Sequence, residues 1–386
     1  ERGVFRAAHD HRAFLHYLPY GHSGFVSPYF APPLKGEGPR KHVADWKKWD
    51  RHFGAYFDGS AFKGTRRGPV PVRRFYLPLN LDWPADFVKF GLPGYEAEWR
   101  AVGRQMVEHF KEKGWTGTKF DMFPNHKQRY RYFPWDAEEA RFLEDNDLHR
   151  YLRTLWEGTF DRKTTQPVTF NYTLGTTWTY HIDIHSDLVE FIDVFIASTN
   201  GPTWDGPMTP KLKKRGVDVW SCTNSGEIRR PLRCPAFVPL LMWMRNLSGY
   251  MPVWSSMSGW GPNLYNDSGS NGSCTLLYPG APFDSEETFG SLRLKVQRNM
   301  LQTVDLLDKV GRKKGRSAVQ QKVNRVLGAR KADWFAKPPG YIDLPPKEWK
   351  GASFATEEPP LAGWNQYSLA RYRNLRELGL KLASGE

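Results

Sequence analysis

Residues 130–141 read YRYFPWDAEEAR, placing three carboxylates, Asp136, Glu138 and Glu139, within four positions behind a proline, a tryptophan and a run of aromatic and basic residues. Carboxyl groups held close together push their pKa values apart, and one then stays protonated while another stays charged. Cleavage of a glycosidic bond asks for that pair: an acid to protonate the leaving oxygen, and a partner to stabilise or trap the oxocarbenium-like centre. The alternative is that these acids form the first turn of a helix, where negative charge suits the dipole.

A second constellation, HIDIH, would put His181, Asp183 and His185 on one face of an extended segment, a trio able to hold zinc or another transition metal. No further His or Cys cluster completes such a site, so no metal and no cofactor is expected. NDSGSNGS at 266–273 is rich in oxygen ligands but lacks the glutamate-terminated spacing of a calcium loop, and reads as a turn.

Trp, Tyr, Asn, His and acids recur in the stretches that follow apolar runs: LPYGHSG, PLNLDWP, MFPNHKQRYRYFPWDAEEA, TLGTTWTYHIDIH and MSGWGPNLYND. Flat rings cover the C–H face of a pyranose, and amide, imidazole and carboxylate groups answer its hydroxyls. The candidate catalytic residues are therefore Glu138 and Glu139. The candidate sugar contacts are His22, Asn80, Asn125, Lys127 and Trp135, joined by Tyr172, Asp183, Trp220, Trp254 and Trp260.

Positioning such a rim takes a scaffold, and short β-type runs alternate with helical segments through most of the chain. Strands are expected at 11–20, 71–80, 116–125, 167–175, 193–199, 218–224 and 249–257. Helices are expected at 45–57, 95–114, 145–160, 234–247 and 290–309. This alternation predicts βαβ units and a parallel sheet. Seven strands without a glycine-rich phosphate loop fit an α/β fold of the (β/α)8 barrel type with its first strand upstream of Glu1, ahead of a doubly wound sheet. The catalytic domain is expected over 1–310. A basic helix, a Pro-rich wrap at 335–365 and a terminal helix over 311–386 pack on the barrel.

Composition narrows the partners. At 386 residues, with 40% hydrophobic and 25% charged side chains, the chain can bury a large core. Lys and Arg outnumber Asp and Glu by 55 − 41 = 14, but the basic residues lie in separate short runs without a nucleic-acid signature, so a solvated surface is expected rather than nucleic-acid binding. No stretch is apolar enough to span a membrane. Three cysteines without a CxxC pair say little about compartment. A polysaccharide-degrading role favours a secreted or periplasmic setting; the oligomeric state is unspecified.

The order HRAFLHYLPYGHSG, VRRFYLPLNLDWP, HFKEKGWTGTKFDMFPNHK and FPWDAEEA, with SCTLLYPGAP before SLRLKVQRNMLQTVDLL, resembles the catalytic barrel of glycoside hydrolase family 123 and its uncharacterised relatives across roughly 8–310. The resemblance implies a (β/α)8 enzyme that releases β-linked N-acetylhexosamine. In that family an adjacent Asp-Glu pair orients the substrate's acetamido group and supplies the acid/base. Aligned on Trp135, the pair falls on Glu138 and Glu139, with Glu139 the acid/base. Glu138 stands where the family has Asp, and Ala140 where it has Pro. A register using Asp136, and a carbohydrate-binding barrel with an impaired pair, stay open beside a metal-dependent hydrolase built on HIDIH.

Overall fold

The computed structural model describes residues 2–15, 26–124, 143–176, 190–198, 208–223, 232–252, 276–330, 334 and 367–385. Six strands, β3 (Arg74–Tyr76), β4 (Lys119–Met122), β5 (Thr169–Thr176), β6 (Val194–Ser198), β7 (Asp218–Thr223) and β8 (Gly249–Pro252), pair in chain order, every pair parallel. The sheet curls into a half-barrel. Two small antiparallel hairpins stand outside it: β1 (Leu34–Lys35) with β2 (His42–Val43), and β9 (Leu277–Pro279) with β10 (Thr288–Gly290).

Helices occupy most of the connections. The segment 47–57 forms α2, a helix with a π turn at its centre. α3 (Pro93–Glu112) opens on proline with Glu96 in its first turn and ends with His109 and Lys111, the order that a helix dipole favours. α4 (Leu143–Trp156) and the short α5 (Arg162–Thr165), capped by Asp161 accepting from the Thr164 N–H, lead to β5. α6 (Met208–Lys214) leads to β7 and α7 (Arg233–Met244) to β8. Then α8 (Leu292–Lys314), α9 (Arg316–Leu327) and α10 (Leu369–Ser384) form a helical layer against α7, with serine caps at Ser291 and Ser368. α8 runs through positions 310 and 311, the boundary expected between catalytic domain and extension.

Most of the described aromatic residues are buried, many of them in the layer between sheet and helices. Phe110 of α3 lies 4.5 Å from Phe120 and 5.7 Å from Phe170, while Trp49 stacks on Phe110 at 5.4 Å and Phe57 meets Phe75 at 4.8 Å. Large rings let a few side chains fill a wide gap, and edge-to-face pairs add to the burial.

Six of the seven expected strands are in the sheet. The strand expected at 11–20 is not formed over its described part: α1 (Arg2–Asp10) is followed by a turn in which Arg12 adopts φ 60°, and 13–15 run on without ladder partners. Residues 16–25 and the Pro-rich stretch 335–365 lie outside the described residues.

Candidate functional site

Side chains alternate across a strand, and the parallel register sorts them into rows. Phe75, Phe120 and Phe170 are abreast, as are Leu174, Phe195 and Val219, and these belong to the helix-side core. The intervening residues line the other, inner face. Tyr76, Asp121 and Asn171 form one row, and Ile196, Trp220 and Gly249 another.

Toward the strand starts the inner face is polar. Arg74 donates to Asp121 at 2.8 Å and also pairs with Asp218, and Asn171 donates to the same Asp121 oxygen at 2.8 Å. Lys119 approaches Asp218 at 3.5 Å. The Arg74 guanidinium lies 4.8 Å from the centre of the Trp220 ring, a cation–π contact. Burial pushes the Asp121 carboxyl up to about 6, against the opposing pull of Arg74 and Asn171.

Farther along the strands the inner face is apolar. Tyr76, Phe123, Val194, Ile196 and Trp220 make a cluster separate from the main core, with Phe14 and Met251 packed on it. The Tyr76 ring lies 5.3 Å from Phe123 and its hydroxyl reaches the Met251 sulfur at 3.7 Å. Trp220 keeps its slot because residue 249 is glycine: a Cβ there would stand 3.2 Å from the indole. A dry, low-dielectric floor of this kind raises the cost of any charge placed above it.

Three of the expected site residues fall within the described parts of the chain. Trp220 is on the inner face, 7% exposed. Asn80 follows β3 and is fully buried, its backbone paired with Trp83 in a tight loop before the cis Trp83–Pro84 bond. Tyr172 lies across the sheet from Trp220, on the helix side, sealed from solvent; its hydroxyl is 2.9 Å from Nδ1 of His149 and its ring meets Trp156 edge-on. The structure therefore gives Tyr172 no surface for a sugar. Glu138 and Glu139, with His22, Asn125, Lys127, Trp135, Asp183, Trp254 and Trp260, lie outside the described residues, as do Asp136, His181 and His185. Among the described residues no group of three His, Cys, Asp or Glu is placed to hold a metal, and no helix is long and apolar enough to cross a membrane.

Arg74, Asp121, Asn171 and Asp218 escaped the sequence reading. Their signal was parity: in KFDM and TFNY a polar side chain alternates with phenylalanine, which on a sheet with one helix-covered face directs it to the other. No known family model and no curated protein sequence matches the chain.

Proposed function

We propose that the chain is a glycoside hydrolase whose half-barrel sheet is part of a (β/α)8 barrel, with Glu139 as general acid/base and Glu138 stabilising or positioning the reacting centre. The observation that carries this reading is where the acids fall in the topology. Glu138 and Glu139 belong to the connection between β4 and α4, and in a parallel α/β sheet the connections that leave strand C-terminal ends carry the chemistry. The apolar inner face adds support, since a carboxylic acid near a dry aromatic floor holds its proton to higher pH, as a general acid must. The resemblance to glycoside hydrolase family 123 points to a β-linked N-acetylhexosamine as substrate.

The test is kcat/KM on two β-glycosides, one with a poor and one with a good leaving group. Glu139→Gln loses about 10²–10⁴-fold on the poor leaving group and far less on the activated aryl glycoside, because only the first needs a proton. Glu138→Gln slows both alike, and Glu138→Asp raises activity on N-acetylated sugars. Equal losses for Glu139→Gln on both substrates remove it from the acid role; the same leaving-group dependence in Asp136→Asn alone moves the pair upstream. Sugar binding without turnover of any glycoside assigns the chain to the carbohydrate-binding class instead.

A further inference from the structure

The segment 26–34, the first turns of α2 and the loop after β3 enclose a cavity of about 450 Å³, within the size range of small-molecule sites. Contacts between its own sides hold it open. Trp49 of α2 donates through Nε1 to the Phe30 carbonyl at 3.0 Å, and the Phe30 ring stacks on Phe53 at 6.1 Å. The Ala44 N–H donates to the Pro33 carbonyl at 2.8 Å, and Leu34 pairs with Val43 in the β1–β2 hairpin. A cavity tied in this way exists before anything enters it, so little ordering is left for a ligand to drive.

Apolar side chains make up most of the lining. Pro28, Pro32 and Pro33 come from the segment, Trp49 from α2 and Trp83 from the loop. The two indoles are buried, whereas Pro28 and Pro33 are exposed, so the cavity runs from an open rim to a closed aromatic base. Apart from the indoles, polar groups come from Tyr29, Lys48 and His52 alone. The Tyr29 hydroxyl lies 3.4 Å from Nδ1 of His52, and its ring meets the imidazole edge-on at 4.4 Å. Lys48 is exposed and has no ion pair among the described residues. No described carboxylate lines the cavity, and nearby Asp50 is taken by His109 and Lys113, each at 2.7 Å.

We propose that this cavity binds a small apolar molecule carrying a single carboxylate, with its apolar body against Trp49 and Trp83 and its charge at the rim beside Lys48. The balance of the lining decides the class. A sugar would bring a hydroxyl on most ring carbons, and each one buried without a partner is costly; three polar side chains, two of them engaged with each other, cannot answer so many. An amine would meet the Lys48 ammonium with like charge, and a neutral hydrocarbon would leave that ammonium unused. One anionic head on an apolar body matches both parts of the lining. The inference rests on this cavity alone and is separable from the glycosidase reading.

The test is titration calorimetry of the whole chain with straight-chain carboxylates from butanoate to decanoate, and with octanol and octylammonium as neutral and cationic counterparts, all below their micelle concentrations. Affinity should rise roughly fourfold per methylene while apolar surface is still being buried and level off once the cavity is full. Octanoate should bind more tightly than octanol, and octylammonium least tightly. Lys48→Ala should weaken octanoate by up to about fivefold and Lys48→Glu by more, with octanol binding and the melting temperature unchanged. Ala31→Phe, which fills part of the cavity, should weaken octanoate and octanol alike. Absence of octanoate binding, affinity independent of chain length, octylammonium binding as tightly as octanoate, or wild-type octanoate binding by Lys48→Glu or Ala31→Phe overturns the proposal.

Discussion

Two buried carboxylates respond to pH in opposite directions. Asp121 has its folded pKa raised from 3.8 to about 6, so the folded state holds the proton more tightly than the unfolded one. Its contribution is greatest below pH 4 and falls away as pH rises through about 6, by at most about 3 kcal/mol. Asp121→Asn should remove that downward slope from urea-derived stability between pH 4 and 6; an unchanged slope would show that Asp121 is ionised throughout. Glu98 behaves the other way. Burial raises its pKa, but hydrogen bonds from Lys41 and Lys89, both 2.7 Å, and from the Gly38 N–H outweigh that and leave it below the ordinary value. Its stabilisation is complete above the unfolded pKa and is lost as pH falls through the lower, folded one. At pH 7, Glu98→Gln should destabilise the fold by less than the roughly 3–5 kcal/mol of a fully buried broken pair, since the Lys41 and Lys89 side chains are 15% and 37% exposed and stay partly solvated. The acids most conspicuous in the sequence form a run, whereas Asp121 sits between Phe120 and Met122 and Glu98 between Ala97 and Trp99. Composition alone does not mark them; only strand parity and the helix face do.

At the element scale, α3 lies tightly against the segment that ends α4. A Cβ on Gly103 would sit 2.7 Å from the Thr159 methyl and 2.9 Å from the Phe160 ring. Alanine is worth about 1 kcal/mol more than glycine in a helix interior, while overpacking a filled core costs roughly 1–3 kcal/mol. Both neighbours are buried, so the clash wins: Gly103→Ala should lower the melting temperature, whereas Gly94→Ala in the same helix, with open space at its Cβ, should not. A higher melting temperature for Gly103→Ala would mean that Thr159 and Phe160 yield. The elements themselves were largely legible. Helices 93–112, 233–244 and 292–314 and six strands stand close to where periodicity put them, because each is long or flanked by proline, glycine or a serine cap. The segment after α1 was not: HRAFLHYLPY has strand-like residues, but Arg12 in a left-handed turn breaks it from its helix, and no neighbouring strand pairs with 13–15. Pairing is a property of the partner, which one segment cannot reveal.

Across the whole molecule, the helices of the layer α7 to α10 are tied to one another around a buried indole. Trp334 is buried, stacks on Phe237 at 5.8 Å, donates to Asn324 at 2.8 Å and offers its carbonyl to buried Arg245 at 2.6 Å. Trp334→Ala should cost about 3–5 kcal/mol and raise backbone amide exchange in α9 and α10 before that in β4 and β5; uniform exchange would mean that the layer and the sheet unfold as one. The Arg74–Asp218 contact has a different reach. Arg74 stands on β3 and Asp218 on β7, four strand spacings apart, roughly 19 Å if the sheet were laid flat. The ion pair is the string of a bow whose limb is the sheet. The contact at the strand starts thus spans the curl of four strand spacings, on the same limb that carries the far ends of β3 and β7.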